Sequence, residues 1–181
     1  MENLAGSVFY AGDALNADPV FGGSVILMIN ETMGVNLCGT IFSIPNFDLQ
    51  LQDGGPLTAP YIFAIFDNGD DLTVLHPIGD SGYSLRPVTV DDGKIAPVFE
   101  PSKGFLTVGY AGWGAGQFQE ELDFGAWLPA QCSLRELMAV PPHLRYAKAA
   151  GEAQEGDLEE APQPIVLNLE LVAIVTVESD K

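Results

Sequence analysis

Basic residues are scarce in this sequence, and their scarcity argues against several classes of partner. The 181-residue chain has 7 lysines and arginines against 25 aspartates and glutamates, which gives a formal net charge of −18. Such a charge repels nucleic-acid phosphates and anionic lipid headgroups within the screening distance of the solution. The cationic side chains are scattered along the sequence, so no basic stretch offsets this charge. We therefore expect no direct binding to nucleic acid or membranes, and a basic partner suits the charge better.

Long apolar runs and paired cysteines are also missing. No run reaches the roughly 18 apolar residues that a membrane span needs. The first residues, Met1-Glu2-Asn3, are acidic where a signal peptide would be basic. The only two cysteines, Cys38 and Cys132, lie far apart and fit no disulfide framework. These features predict a cytoplasmic protein with two free thiols.

Residue patterns that carry catalysis are absent as well. The chain shows no nucleophile beside a base, no metal-ligand spacing and no phosphate-loop lysine, and neither His76 nor His143 has an orienting partner nearby in sequence. Asp67, Asp70 and Asp71 lack the glycine position and distal glutamate of a calcium loop, so a plain turn is favoured over a cation site. The sequence therefore predicts no catalytic residue, no metal and no cofactor.

What the sequence does contain is a glycine-rich stretch at 109–117, with glycine at 109, 112, 114 and 116. A β-branched and aromatic run, 105–108, precedes it, and a helix-like run, 117–122, follows it. Glycine allows a positive φ or a close backbone approach that a Cβ would forbid. The stretch is thus predicted to be a turn between a strand and a helix.

Two interpretations of this loop remain open. Trp113 either plugs the open end of a sheet, with the glycines giving it room, or joins Tyr110 in a ligand surface. The glycine spacing does not match a dinucleotide-binding loop. The candidate binding residues are Tyr110, Gly112, Trp113, Gly114, Gly116, Gln117 and Glu121.

Turn signals and apolar runs predict many strands before this loop and helices after it. The predicted strands are 7–11, 24–29, 37–44, 61–66, 72–76, 83–90 and 95–99, with a turn at 30–36 between the second and third. The run 24–29 is uninterrupted, which predicts a strand covered on both faces. Ser133 and Glu136 form a capping box for a helix through residue 140, and Pro141-Pro142 begins another that Gly151 ends.

The C-terminal part divides into an acidic linker, 151–164, and a strand, 165–177, with alternating apolar residues. A strand of this kind must pair with its own sheet or with another chain. We predict that segment 165–181 docks on the domain formed by residues 1–150 of the same chain. A strand-exchanged dimer is the alternative to this monomer.

The glycine-rich segment, followed by Glu121 and by Gly125-Ala126-Trp127-Leu128, resembles the signature of the AlgH/YqgE family of bacterial proteins. Supporting matches extend the resemblance over about residues 4–150; they include Asp18-Pro19, Gly54-Gly55-Pro56 and Pro141-Pro142. Three positions depart from the family: Ser43 and Ile44 replace its usual polar and basic pair, and Phe66 stands where direct spacing places a family histidine.

The resemblance implies an α+β fold, with a mostly antiparallel, strongly curved and bifurcated sheet that forms a pseudo-barrel flanked by a few short helices. Members of the family have no established enzymatic activity. We therefore favour a non-catalytic binding or interaction module with an unidentified protein or small-molecule partner. The alternatives are a transcription-related regulator that acts indirectly, and a small-molecule or nucleotide binder that uses loop 109–117.

Overall fold

Eleven β-strands and three short α-helices make up the part of the chain that the computed structural model describes, residues 4–12, 23–44, 49–69, 76–91, 94–96, 103–151 and 165–166. The strands are β1 (Val8–Ala11), β2 (Val25–Met28), β3 (Met33–Asn36), β4 (Ile41–Ile44), β5 (Leu49–Asp53), β6 (Leu57–Asp67), β7 (Tyr83–Asp91), β8 (Lys94–Ala96), β9 (Gly104–Gly112), β10 (Trp127–Pro129) and β11 (Ile165–Val166). The helices are α1 (Gln117–Asp123), α2 (Leu134–Met138) and α3 (Arg145–Ala150), and a 3₁₀ turn (Pro142–Leu144) precedes α3.

The sheet is built on β9, because three other strands pair with it. Residues 106–108 pair in parallel with β5, and residues 104–108 pair antiparallel with β6. Further along, Ala111 and Gly112 pair antiparallel with β3. One path from β9 therefore leads through β3, β2 and β1 to β10, another through β5 and β4 to β11, and a third through β6 and β7 to β8.

The α+β class predicted from the sequence is confirmed. Of the ten strand pairs formed by the described residues, eight are antiparallel, and the exceptions are β5 with β9 and β4 with β11. No pair among these residues joins the ends of the strand order, so the sheet is open. The pseudo-barrel stays a prediction.

Alternating residues of the central strands face separate hydrophobic cores. Ile65 and its register partner Phe105 face a core closed by α2 and α3, whereas Ala64 and Leu106 face a second core. The predicted double coverage of β2 is confirmed, since all four of its residues are buried. Val25 and Leu27 enter the first core. Ile26 and Met28 enter a third core, which also contains Phe118 and Trp127.

The hairpin after β2 differs from its prediction. The partner of β2 is β3, which lies inside the stretch 30–36 that was predicted to be a turn. Asn36 explains the difference, because its side-chain Oδ1 accepts a hydrogen bond from the Cys38 backbone N–H (3.0 Å) and turns the chain. The predicted strand 37–44 is therefore wrong before Ile41. Its remaining part, β4, pairs with β5. β5 is not among the predicted strands, because Leu49–Asp53 leads into turn residues.

Other strands begin or end at residues that differ from the predicted ones. Hydrogen bonding continues through Gly109, so β9 ends at Gly112 and not at residue 108. β6 begins four residues earlier than predicted and contains a register shift between Leu57 and Ile62. β10 was not predicted. The predicted strand 72–76, apart from His76, lies outside the described residues, as do residues 97–99 of the predicted strand 95–99.

The helices are short, and their ends follow the predicted caps. The capping box is confirmed: the Ser133 hydroxyl accepts from the Glu136 N–H (3.2 Å), and the Glu136 carboxylate accepts from the Ser133 N–H (2.9 Å). The helix it begins ends at Met138, two residues before the predicted end. Gly151 ends α3 with a left-handed φ of 76°. Within the described ranges, no helix has the length and apolarity that crossing a bilayer would take.

The C-terminal strand is described over two residues. Ile165 and Val166 pair in parallel with Phe42 and Ser43 of β4 in the same chain. Residues 152–164 and 167–181 lie outside the described part, and they include most of the predicted linker and strand. Docking of the whole segment 165–177, and the choice between monomer and exchanged dimer, stay predictions.

Gly109 and Gly114 form a matched pair that tests where this region requires glycine. Gly109 has a φ of +79°, and a Cβ there would lie 2.8 Å from the Gly55 carbonyl oxygen, whereas a Cβ on Gly114 would meet nothing closer than 3.7 Å. We expect Gly109→Ala to lower the free energy of unfolding by about 1–3 kcal/mol, and Gly114→Ala to change it by less than about 0.5 kcal/mol. Urea unfolding followed by circular dichroism measures both. Equal stability of the two variants would contradict this expectation.

Candidate functional site

The glycine-rich loop joins the end of β9 to the start of α1. The Trp113 N–H donates to the Thr32 carbonyl oxygen (2.9 Å), and the Gly114 N–H donates to the side chain of Gln117 (3.0 Å). Gly116 is the N-cap of α1 with a φ of 78°. Gly112 and Gly114 do not have a positive φ. The conformational need for glycine therefore applies at Gly116 and, earlier in the strand, at Gly109.

Glu121 connects this loop to the helix and to β10. One carboxylate oxygen, Oε2, accepts hydrogen bonds from the indole Nε1–H of Trp113 (2.9 Å) and of Trp127 (2.7 Å). The other, Oε1, accepts from the side-chain amide of Gln117 (3.2 Å), one helical turn earlier. Trp127 is 4% exposed. The carboxylate thus satisfies an indole donor that would otherwise be buried without a partner.

The rings of this group pack on one another as well as on the core. Trp113 lies edge-on to Phe118 with ring centroids 4.9 Å apart, and the two tryptophans are 6.2 Å apart. Phe118 is 1% exposed and contacts Phe9 at 5.2 Å. Edge-to-face pairs at these separations are favourable. The packing interpretation of Trp113 accounts for these contacts.

The structure brings four of the seven predicted binding residues into one hydrogen-bonded group, namely Trp113, Gly114, Gln117 and Glu121. The remaining three are close along the chain: Tyr110 is half-buried in β9 opposite Leu57, Gly112 ends that strand, and Gly116 is the N-cap of α1. Gly112, Gly114, Gly116 and Gln117 are exposed. The accessible part of the predicted site is therefore its outer edge.

The loop is poorly suited to hold a phosphate. Two of its backbone N–H groups, those of Trp113 and Gly114, already donate within the protein. The first turn of α1 carries the carboxylate of Glu120, and that of Glu121 follows immediately. Negative charge at this end of the helix opposes an anionic ligand. The geometry therefore disfavours a nucleotide at this loop.

The Gly-Gly-Pro stretch, 54–56, lies against β9. The Gly54 N–H donates to the Val108 carbonyl oxygen (2.8 Å). A side chain on Gly54 or Gly55 would overlap the backbone of Gly109 or Tyr110. Two glycine motifs that are far apart in the sequence thus meet at β9, where the backbones approach too closely for a Cβ.

Neither cysteine is an activated nucleophile. Both thiols are free. Burial raises the pKa of Cys38 to about 12, although the nearby Arg145 charge opposes the shift. Burial, reinforced by the Glu136 carboxylate, also raises the pKa of Cys132. Both side chains are therefore protonated near neutral pH, and the thiol form is a weak nucleophile.

The other polar candidates are also apart from one another. His76 is exposed, with a φ of 59°, and His143 is half-buried in the 3₁₀ turn. Asp67 accepts a hydrogen bond from the Gly69 N–H (2.8 Å), as a turn aspartate does, while Asp70 and Asp71 lie outside the described residues. No three histidine, cysteine or acidic side chains in the described part of the chain group closely enough to hold a metal ion.

The structure also contains a cleft that no pattern in the sequence predicts. Its volume is about 600 Å³, and it lies between the start of β9, the end of β6 and helices α2 and α3. Lys103, Arg135 and Arg145 line it, together with Asp67, which forms an ion pair with Arg135 (2.9 Å). The seven cationic residues are scattered along the sequence, but the fold gathers three of them into one place.

Comparison with known proteins identifies the family. A family model described as AlgH-like matches residues 16–158, which is more than half of the chain. This chain belongs to the AlgH-like family. A UPF0301 protein of Cupriavidus metallidurans is 30% identical over 161 residues, covering 74% of this chain and 80% of that protein. A UPF0301 protein of Bordetella petrii is 31% identical over 155 residues, covering 81% and 73% respectively. The resemblance found from the loop is confirmed.

Solved structures of similar proteins share the fold of this AlgH-like protein. The solution structure of the AlgH protein from Pseudomonas aeruginosa covers 89% of this chain and 95% of its own, with a TM-score of 0.62 and 20% identity. A crystal structure of a protein from Corynebacterium diphtheriae covers 97% of this chain and 93% of its own, with a TM-score of 0.55 and 17% identity. At these identities the likeness shows the fold alone.

Removing the Glu121 carboxylate tests its connecting role. In Glu121→Ala two indole donors lose their acceptor, one of them buried, and we expect the free energy of unfolding to fall by about 2–4 kcal/mol. Glu120→Ala is the matched control, because Glu120 is exposed on the same helix; we expect it to cost less than about 1 kcal/mol. Chemical unfolding followed by tryptophan fluorescence measures both. Similar losses in the two variants would show that Glu121 does not hold the loop.

Proposed function

We propose that this AlgH-like protein is a non-catalytic interaction protein that presents α1 and the adjoining residues to a protein partner. The observation that carries the proposal is Phe124, which follows α1 directly and whose side chain is 87% exposed. Aromatic side chains, phenylalanine among them, are enriched at protein–protein interfaces relative to the rest of the surface. The proposed surface is defined here as Gln117, Gln119, Glu120, Asp123, Phe124 and Leu128.

The hydrogen bonds that Glu121 accepts support a non-catalytic role for this region. Both of its oxygens accept hydrogen bonds from side chains of the same group, so its carboxylate serves to hold the loop rather than to move a proton. The indole donors point inward to it. What this arrangement presents outward is a fixed backbone and a few exposed side chains, which suits recognition better than chemistry.

The chemistry of the surface indicates the kind of partner. Glu120 and Asp123 are exposed on the helix that leads to Phe124, and Leu128 in β10 is 38% exposed. Within the described residues, β10 ends the strand order and pairs with β1 alone, so one edge remains for another strand. Together with the overall charge of −18, these features favour a partner with a basic rim and an apolar centre.

The same charge shapes the rest of the proposal. It opposes direct contact with nucleic acid or a membrane, so any influence on transcription would be indirect, through the protein partner. We place the protein in the cytoplasm, where two free thiols stay reduced. No cofactor is part of the proposed role.

Site-specific photo-crosslinking tests the proposal. A benzoylphenylalanine at position 124 replaces one exposed aromatic side chain with another, and the same group at position 50 serves as the control, because Gln50 is exposed in β5. In lysate of the source organism, we expect one protein to crosslink from position 124 and not from position 50. An excess of unlabelled wild-type protein should abolish the crosslink, whereas an excess of Phe124→Ser should not.

Two outcomes would contradict this proposal. One is the same set of crosslinked proteins from positions 124 and 50, which would indicate chance encounters. The other is equal competition by the wild-type protein and the Phe124→Ser variant, provided that circular dichroism shows the variant to be folded. Either result would remove Phe124 from the proposed interface.

A further inference from the structure

The exposed side of α1 places an aromatic ring beside carboxylates. Phe124 follows the helix with a right-handed helical backbone, and its N–H donates to the Glu120 carbonyl oxygen (3.1 Å), so helical geometry continues to position 124. Side chains four residues apart on a helix are neighbours on its surface. The exposed Glu120 carboxylate therefore lies one turn from the Phe124 ring on the same face, and the exposed Asp123 directly precedes that ring in the chain.

No cation of the described structure neutralises these carboxylates. No lysine or arginine in the described part of the chain forms an ion pair with Glu120 or Asp123. Asp123 accepts a hydrogen bond from the neutral side-chain amide of Gln119 (3.1 Å), and the last turn of α1 contains no basic residue. Because the carbonyl end of a helix carries partial negative charge, a cation is favoured there. This end of α1 is therefore suited to a cation from another molecule.

The ring of Phe124 is open to the same cation. Its side chain is 87% exposed, whereas Phe118 in the same helix is 1% exposed, so packing within the chain does not account for Phe124. A cation over the face of an aromatic ring is attracted by the ring quadrupole. The protein itself contains such a contact, since the guanidinium carbon of Arg86 lies 5.3 Å from the ring centroid of Phe66.

From these features we propose that the partner residue that contacts Phe124 is an arginine. Its guanidinium would stack on the Phe124 ring and donate hydrogen bonds to the carboxylate of Glu120 or Asp123. Arginine suits this surface better than lysine, because a planar guanidinium both stacks on aromatic rings and donates in pairs to a carboxylate. The inference rests on the protein-binding surface proposed above, and it names the chemistry that this surface recognises.

Two short peptides of equal charge test the choice of arginine without the unidentified partner. They are acetyl-Gly-Arg-Gly-Arg-Gly-amide and the same peptide with lysine in place of arginine, each titrated at the same low ionic strength and followed by NMR. We expect the arginine peptide to bind about threefold more tightly. Its arginine Hδ signals should shift upfield through the ring current and show NOEs to the Phe124 ring protons. The lysine peptide should bind through charge alone.

Matched variants locate the binding. Phe124→Leu keeps an apolar side chain but removes the ring, so the two peptides should then bind with affinities within about 1.5-fold of each other. Glu120→Gln removes a carboxylate beside the ring, and it should weaken binding of the arginine peptide about threefold. Glu31→Gln is the control: it makes the same change at an exposed residue between β2 and β3, and it should weaken binding less than about 1.5-fold.

Three results would overturn the inference. Equal affinity of the wild-type protein for the two peptides would show that the surface reads charge alone. An arginine preference that persists in Phe124→Leu would place the stacking at another ring. Equal weakening by Glu120→Gln and Glu31→Gln would show that only the overall charge matters.

The peptide titration and the crosslinking experiment fail separately. A partner that crosslinks from position 124 but not from position 50, together with equal peptide affinities, would support the proposed interface and remove the arginine. The reverse pair of results, an arginine preference at Phe124 with the same crosslinks from both positions, would contradict the proposed function and leave the arginine-binding surface in place.

Discussion

The carboxylate of Glu121 is the interaction on which the surroundings of the signature loop depend. It accepts hydrogen bonds from three side chains that belong to different elements: Trp113 after β9, Gln117 in α1 and Trp127 in β10. Charge-assisted hydrogen bonds are stronger than neutral ones, and sharing an acceptor couples their donors. The loop is also tied to Thr32 ahead of β3, and β10 is paired with β1. The carboxylate therefore connects helix α1 to two separate parts of the sheet.

The same geometry explains why glycine recurs in this region for different reasons. Gly109 and Gly116 adopt a left-handed φ, whereas Gly54 is needed because the β9 backbone passes too close for a side chain.

The two arginines near the C-terminal helices also have different structural roles. Arg145 connects the segment after β3 to the end of α2 through three carbonyl oxygens, and Arg135 is paired with Asp67 at the surface. Acidic α1 and the cationic cleft are thus two chemically opposite surfaces on one sheet-based scaffold.

The sequence predicted features that depend on neighbours along the chain. The apolar run of β2, the capping box at Ser133 and the turn before α1 each depend on residues within a few positions. Predictions from the sequence failed where a side-chain contact or the tertiary structure determines the local conformation. The Asn36 side chain turns the chain where the apolar pattern predicts that a strand begins. Turn residues at the end of β5 hid this strand, which pairs with β9, from the sequence pattern. The shared carboxylate and the cleft were missed because each requires residues brought together by tertiary structure.

Hydrogen exchange of the two tryptophan indole N–H groups tests the role of Glu121 most directly. The chain has 2 tryptophans, so its NMR spectrum contains two indole signals and no others. If both donate to Glu121, both should exchange slowly, with Trp127 the slower because it is buried. In Glu121→Ala the exchange of both should accelerate. Indole N–H groups that exchange as fast as in an unfolded peptide, or at rates that Glu121→Ala leaves unchanged, would contradict this account.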